Sequence, residues 1–178
     1  NLDHSVEKNI KLLAEAKNTR PENLTACVLQ RKRHDDIIES LRSLNVKINF
    51  ISDGDVSGVI SVALPQSKID IYLGIGGGPE GVLAAAALKC LGCQMQTRLK
   101  FYENEEKERV KKMGIKDLKL KYNIDDMVKG DVIFCATGVT DGDLVKGIKE
   151  YDDYFESETF VLHKSTKANN IIKNKMKK

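Results

Sequence analysis

Ile69-Asp-Ile-Tyr-Leu-Gly-Ile-Gly-Gly-Gly-Pro-Glu-Gly-Val-Leu-Ala-Ala-Ala-Ala-Leu-Lys-Cys-Leu91 decides how this chain is read. It predicts an apolar strand, a glycine turn and a helix of small residues. The Ile and Leu content of the strand argues for burial on both faces. Gly76, Gly77 and Gly78 admit backbone angles closed to other residues. Pro79 suits the first helical position, where its missing N–H costs nothing. Glu80 then falls in the first turn, at the positive end of the helix dipole. Gly92 is the expected stop. An acid at the mouth of a bare-backbone turn suits a metal or a phosphorylated ligand.

The same strand–turn–helix unit is expected three more times. Leu24–Leu29 is read as a strand running into Gln30–Asp36, which opens a helix carrying Ile37, Ile38, Leu41 and Leu44. Val46–Ile51 is read as a strand, then Ser52–Asp55 as the start of a helix that Pro65 closes. Asp131–Thr137 is read as a strand, then Gly138–Asp143 as the turn into a short helix. Alternating strands and helices predict an α/β fold, layered, with a mainly parallel sheet and helices on its faces. Ligands of such sheets lie at the carboxyl ends of the strands. The four turns would bring Arg31, Lys32, Arg33 and His34, then Asp53 and Asp55, then Glu80, then Asp141 and Asp143 to one rim.

The remaining elements are plainer. Residues 3–17 form a helix by apolar spacing, and Cys93–Phe101 an added strand. Asn104–Met113 reads as a charged, solvated helix capped by Asn104 and stopped by Gly114. Thr159–Lys164 and Asn170–Asn174 read as a terminal hairpin. We expect one α/β domain over residues 1–178.

Composition narrows the function classes. Hydrophobic content of 41% and charged content of 31% are ordinary for a globular chain. No apolar run approaches the roughly 20 residues a membrane helix needs. The net charge of +3 is outweighed by the lysines of the closing Lys173–Lys178, so nucleic acid is not an expected partner. Cys27 and Cys135 are expected as buried strand residues. Cys90 and Cys93 have C-x-x-C spacing but lack a second pair for zinc, so all four read as structural thiols in a cytoplasmic, reduced setting.

Each rim residue has two readings. Gly76–Gly81 formally fits G-x-G-x-x-G, but it is not in the first unit and no acid ends a strand about 20 residues on, which argues against a nicotinamide cofactor. The glycines alone would make a tight turn. Glu80 is either a dipole-complementing acid or an oxygen ligand for Mg²⁺ or Mn²⁺. Asp53 and Asp55, split by Gly54, either cap a helix and make its turn, or accept hydrogen bonds from sugar hydroxyls or help hold a metal. Arg31 and Arg33 are either solvated or hold phosphate. His34 is open as acid, ligand or cap.

The blocks Arg31-Lys-Arg-His34, Asp53-Gly-Asp-Val56, Gly74-Ile-Gly-Gly-Gly-Pro-Glu-Gly81 and Ala136-Thr-Gly-Val-Thr-Asp-Gly142 together resemble the GlpX-type class II fructose-1,6-bisphosphatases, some of which also act on sedoheptulose-1,7-bisphosphate. The resemblance implies a fold like the second domain of the lithium-sensitive-phosphatase-like sugar phosphatases. It implies hydrolysis of the 1-phosphate of a sugar bisphosphate with Mn²⁺ or Mg²⁺, and a homo-oligomer in the full-length enzyme. By motif, Glu80 looks like a metal ligand. Asp53, Gly54, Asp55 and Gly77 look like sugar contacts. Arg31, where Lys is common, and Arg33 look like the grip on the uncleaved phosphate. Family members carry a preceding segment with most metal-binding carboxylates, and this chain has no such motif. The resemblance therefore implies the C-terminal, substrate-binding half, with no catalytic residue assigned here and little activity alone. A stand-alone binding module for phosphorylated sugars or nucleotides is the other reading.

Overall fold

The computed structural model describes all residues from Asn1 to Lys178. Three parallel strands lie at its centre: β1 (Thr25–Leu29), β2 (Lys47–Ile51) and β3 (Ile71–Tyr72), in the order β2-β1-β3. Ala26 pairs with Ile48 on one side and Ile71 on the other. Helices α1 (Val6–Ala16) and α2 (Asp35–Ser43) cover one face of this sheet. There Ile10, Ala14, Ile38 and Leu41 pack with Ala26 and Val28 of β1. Cys27, on the opposite face by strand alternation, meets α3 (Asp55–Ser61) at Gly58.

Helix α4 (Gly78–Leu91) lies beside α3 and explains its own composition. Ala84, Ala85 and Leu88 pack with Val59 of α3, while Ala87 joins Ile60, Phe134, Phe160 and Leu162 in a second cluster. A helix packed on more than one side cannot be amphipathic, and small residues let its neighbours approach. Gly92 ends it with φ +71°, a left-handed cap that favours glycine.

Beyond α3 and α4 lies an antiparallel sheet of β6 (Ile133–Thr137), β7 (Lys149–Glu150), β8 (Tyr154–His163) and β9 (Ala168–Lys177). The layers run helix, parallel sheet, helix, antiparallel sheet. A short antiparallel pair, β4 (Gln96–Arg98) and β5 (Lys121–Asn123), precedes α6 (Ile124–Met127), and the exposed α5 (Asn104–Lys112) lies between its two strands in the chain. None of these helices is long and apolar enough to cross a membrane.

The α/β class, the first three units, the added strand and the terminal hairpin follow the sequence reading. The fourth unit does not. β6 pairs antiparallel with β8, and residues 138–148 form no helix. Gly138, Gly142 and Gly147 disfavour a helix there, and the segment closes on itself instead. Gly142 N–H donates to Val145 O, Ile148 N–H to Val139 O, and Gly147 N–H to the Asp141 carboxylate. The sheets are therefore not mainly parallel. Cys135 is exposed, because Phe134 and Ala136 take the inward positions of β6. The cap of α5 is Glu103, reciprocated by Glu106, and not Asn104.

Candidate functional site at the carboxyl edge of the parallel sheet

The ends of β1, β2 and β3 supply the site. After β3 the chain runs through Gly74, Ile75, Gly76 and Gly77 into α4. None of Gly76, Gly77 and Gly78 has a positive φ, so the expected need for unusual backbone angles is not met. What Gly76 and Gly77 provide is room. A Cβ on Gly76 would lie 2.7 Å from Asp55 Oδ2, and one on Gly77 would collide with the Glu80 carboxylate. Consecutive glycines thus receive one carboxylate from the β2–α3 turn and one from the first turn of α4.

Asp55 is aimed by its local turn. Gly54, at φ +75°, is the residue before α3, and this left-handed backbone is what the Asp-Gly-Asp spacing requires. Asp53 Oδ1 accepts from Gly54 N–H at 2.8 Å, and Asp55 Oδ1 accepts from Val56 N–H at 2.9 Å. One Asp55 oxygen braces the helix start while the other reaches the glycine loop. Asp53 remains exposed to solvent.

The β1 turn contributes from below. A single 3₁₀ turn over Lys32–His34 leads into α2. Arg33 Nε donates to Ile75 O at 2.8 Å. Arg31 turns the other way, donating to Gln30 O and lining an open groove of about 240 Å³ with Lys32, Asp35, Arg42 and Phe50. The two arginines expected to grip one phosphate are thus separated, one on the β3 side and one on the β2 side. His34, left open as acid, ligand or cap, is fully buried with both ring nitrogens on backbone groups, so it is neither a surface acid nor a ligand.

Tyr72 was hidden in the strand reading and belongs to this site. Its ring packs near Gly58, and its hydroxyl lies against Gly74. Burial, then the negative charge of Asp55, pushes its pKa up to about 12. The phenol stays a neutral donor at any physiological pH. A polar aromatic at the end of the strand that leads into the glycine turn, two residues before Gly74, was the available signal.

No helix opens at Asp141 and Asp143: Asp141 accepts from Gly147 N–H within its own loop, and Asp143 is exposed. No group of three or more His, Cys, Asp and Glu side chains stands close enough to hold a metal ion. Glu80 and Asp55 alone do not make a Mg²⁺ or Mn²⁺ cage, so the chain's own residues do not complete the metal site that the resemblance implies. Cys90 donates to Val132 O and Cys93 to Leu91 O, in separate clusters, and burial pushes both thiols up in pKa.

Comparison with known proteins finds the family model for bacterial fructose-1,6-bisphosphatase, glpX-encoded, over residues 1–176. A D-fructose 1,6-bisphosphatase class 2/sedoheptulose 1,7-bisphosphatase of Synechococcus sp. strain JA-3-3Ab is 34% identical over 94% of this chain and 52% of its own length. A fructose-1,6-bisphosphatase class 2 of Haemophilus influenzae is 37% identical over 90% of this chain, again 52% of its own length. The chain therefore spans about half the length of these relatives. Among solved structures, a sugar N-methyltransferase from a Streptoalloteichus species overlaps with a TM-score of 0.27 at 9% identity, too little to carry an argument.

Proposed function

The chain belongs to the bacterial glpX-encoded fructose-1,6-bisphosphatase family, and on that premise we propose that it forms the sugar-phosphate-holding half of a metal-dependent sugar bisphosphatase. The observation that carries this is the convergence of Arg33, Asp55, Tyr72 and Glu80 on one loop, Gly74–Gly77. A sugar phosphate needs a cation for its phosphate, carboxylates for its hydroxyls and room for close approach to backbone. This loop has all three.

In this reading Arg33 meets the phosphate that is not cleaved. Its Nε is engaged on Ile75 O, which leaves the terminal nitrogens of the guanidinium for a bidentate contact. Asp53 and Asp55 accept from sugar hydroxyls, and Tyr72 donates. Gly54 and Gly77 let the sugar lie close to the main chain. Arg31 serves the same phosphate only if it leaves its groove. Glu80 supplies one oxygen ligand to Mn²⁺ or Mg²⁺, whose chemistry in the whole enzyme is activation of water and stabilisation of charge on the departing phosphate. The other ligands come from outside this chain, and no step through the metal is assigned to its residues. The substrate class is a sugar bisphosphate such as fructose 1,6-bisphosphate, a reaction of gluconeogenic type.

Calorimetry of the 178-residue chain with fructose 6-phosphate, with and without Mn²⁺, tests the reading. We expect binding that Mn²⁺ strengthens, loss of that strengthening in Glu80→Ala, and no appreciable phosphate release from fructose 1,6-bisphosphate. Binding indifferent to Mn²⁺ and to Glu80 would favour a stand-alone phosphosugar module. Brisk metal-dependent phosphate release would show that the chain is a complete enzyme.

A further inference from the structure

Both polar groups of the Ile75 residue are taken by two consecutive side chains. His34 Nε2 lies 2.8 Å from Ile75 N, and Arg33 Nε lies 2.8 Å from Ile75 O. The other ring nitrogen of His34, Nδ1, is 2.6 Å from Leu29 O. A carbonyl can only accept, so Nδ1 carries the proton, and Nε2 offers its lone pair to the Ile75 N–H. Ile75 O also stands 3.2 Å from Nε2, but as an acceptor it is satisfied by Arg33. The hydrogen bonds thus fix one neutral tautomer. His34 has no exposure to solvent.

The packing around this link is close. A Cβ on Gly74 would lie 3.2 Å from the Tyr72 hydroxyl and 3.5 Å from His34 Cε1. Gly74 is therefore held between the imidazole and the phenol, one residue before the peptide that His34 grips. One and two residues after it come Gly76 and Gly77, which receive the Asp55 and Glu80 carboxylates.

We propose that His34 is a positioning residue that sets the Gly74–Gly77 loop, and through it the ligand-facing geometry of Glu80 and Asp55. It ties the end of β1, at Leu29, to the loop after β3, a bond between two neighbouring strand ends that the sheet ladder does not provide at that level. Because Arg33 holds the next peptide, through the carbonyl of the same residue, the phosphate-binding cation and the glycine loop move as one unit. The proposal rests on the reading of this rim as a sugar-phosphate site only for its ligand readout.

Two variants separate positioning from plain burial. His34→Asn keeps a donor near the Nδ1 position, facing Leu29 O, and does not reach Ile75. His34→Gln places an amide oxygen near the Nε2 position, where it accepts from Ile75 N–H. Amide hydrogen exchange at Ile75 and the Gly76 and Gly77 amide resonances report the loop, and calorimetry with fructose 6-phosphate and Mn²⁺ reports the ligand. We expect Ile75 exchange to speed up and affinity to fall, each by roughly tenfold, in His34→Asn, with much of both retained in His34→Gln at a similar melting temperature. Equal exchange at Ile75 in the two variants would overturn the proposal. So would affinities that follow melting temperature alone. If the unsubstituted chain binds no fructose 6-phosphate, the sugar-phosphate reading fails, while the exchange contrast still decides what His34 does.

Discussion

The parallel and antiparallel sheets of this molecule hold themselves together by different means. In the parallel layer β3 pairs over only two residues, and the loop beyond it is fixed by side chains: His34 and Arg33 on Ile75, Asp55 against Gly76. In the antiparallel layer β8 and β9 pair along ten residues each, and the 138–148 loop is closed mainly by its own backbone, with one bond to the Asp141 carboxylate. The first arrangement leaves polar groups at a strand edge whose positions depend on a few side chains. The second commits the backbone of β8 to ladders on both of its sides. Sites are built where backbone ladders stop short and side chains must take over.

Helices α3 and α4 nonetheless pack on both layers, and the largest prediction tests whether that couples them. Phe160 of β8 packs with Ile60 of α3 and Ala87 of α4. Phe160→Ala should cost about 3–5 kcal/mol, and urea unfolding should remain one transition. Separate unfolding of the β6–β9 sheet would show that the contrast extends to independent units. The next prediction uses glycines. A Cβ on Gly138 would strike the Lys146 carbonyl, which is backbone, whereas one on Gly77 meets only the flexible Glu80 side chain. Gly138→Ala should cost about 1–3 kcal/mol in a denaturant melt. Gly77→Ala should stay within about 0.5 kcal/mol yet weaken Mn²⁺ binding measured by calorimetry. Equal stability losses would erase the distinction between a backbone-closed loop and a side-chain-held one.

The same contrast explains what could be read from the chain. The three βα units of the parallel layer announce themselves. Each time a short run rich in β-branched and apolar residues leads into a polar or glycine turn and then an apolar helical pattern, although only the central β1 is buried on both faces. Asp131–Thr137 has the same appearance and a different fate. Its partner is β8, which lies beyond it in the chain, and only long-range pairing decides direction. Gly147 showed the difficulty too: nothing local says that a Cβ there would fall 2.6 Å from the Thr140 backbone. At the rim, the placement of Asp55 and Glu80 beside the glycine turn was legible from turn spacing. The separation of Arg31 from Arg33 was not, since Arg31 is extended and Arg33 lies in the 3₁₀ turn that follows, so they face different neighbours. His34 and Tyr72 were missed in role because their partners, Leu29 O, Ile75 N–H and the Gly74 backbone, are not encoded by side-chain type.

Alkaline titration sharpens the rim. Tyr72 is raised to about 12 by burial first and Asp55 second. An unfolded phenol ionises near about 10. Since the folded pKa is the higher one, the fold is unaffected below about 10 and loses stability as pH climbs from there toward 12. Ultraviolet titration should show one tyrosine ionising late. Asp55→Asn should bring it part of the way down, leaving the effect of burial. An unchanged titration would separate Asp55 from Tyr72 and weaken the compact rim.

The smallest expected effect lies at the other layer's edge. His163, the counterpart of His34, faces a carboxylate: Nε2 is 2.8 Å from Asp131 Oδ2, and Nδ1 is 2.9 Å from Thr166 Oγ1. Hydrogen bonds from Ser165 first and His163 second lower the Asp131 pKa to about 2. A depressed folded pKa means that the contribution is complete above the ordinary carboxylate value and lost as pH falls from about 4 toward 2. Asp131→Asn should therefore lower the melting temperature slightly at neutral pH, with the difference from the unsubstituted chain closing near pH 2. The exposed pair braces the β8–β9 turn and touches no part of the rim, so fructose 6-phosphate binding should not change. A loss of binding in Asp131→Asn would mean that the hairpin communicates with the glycine loop through Phe160 and α4, and the division between a ladder-held layer and a side-chain-held site would have to be abandoned.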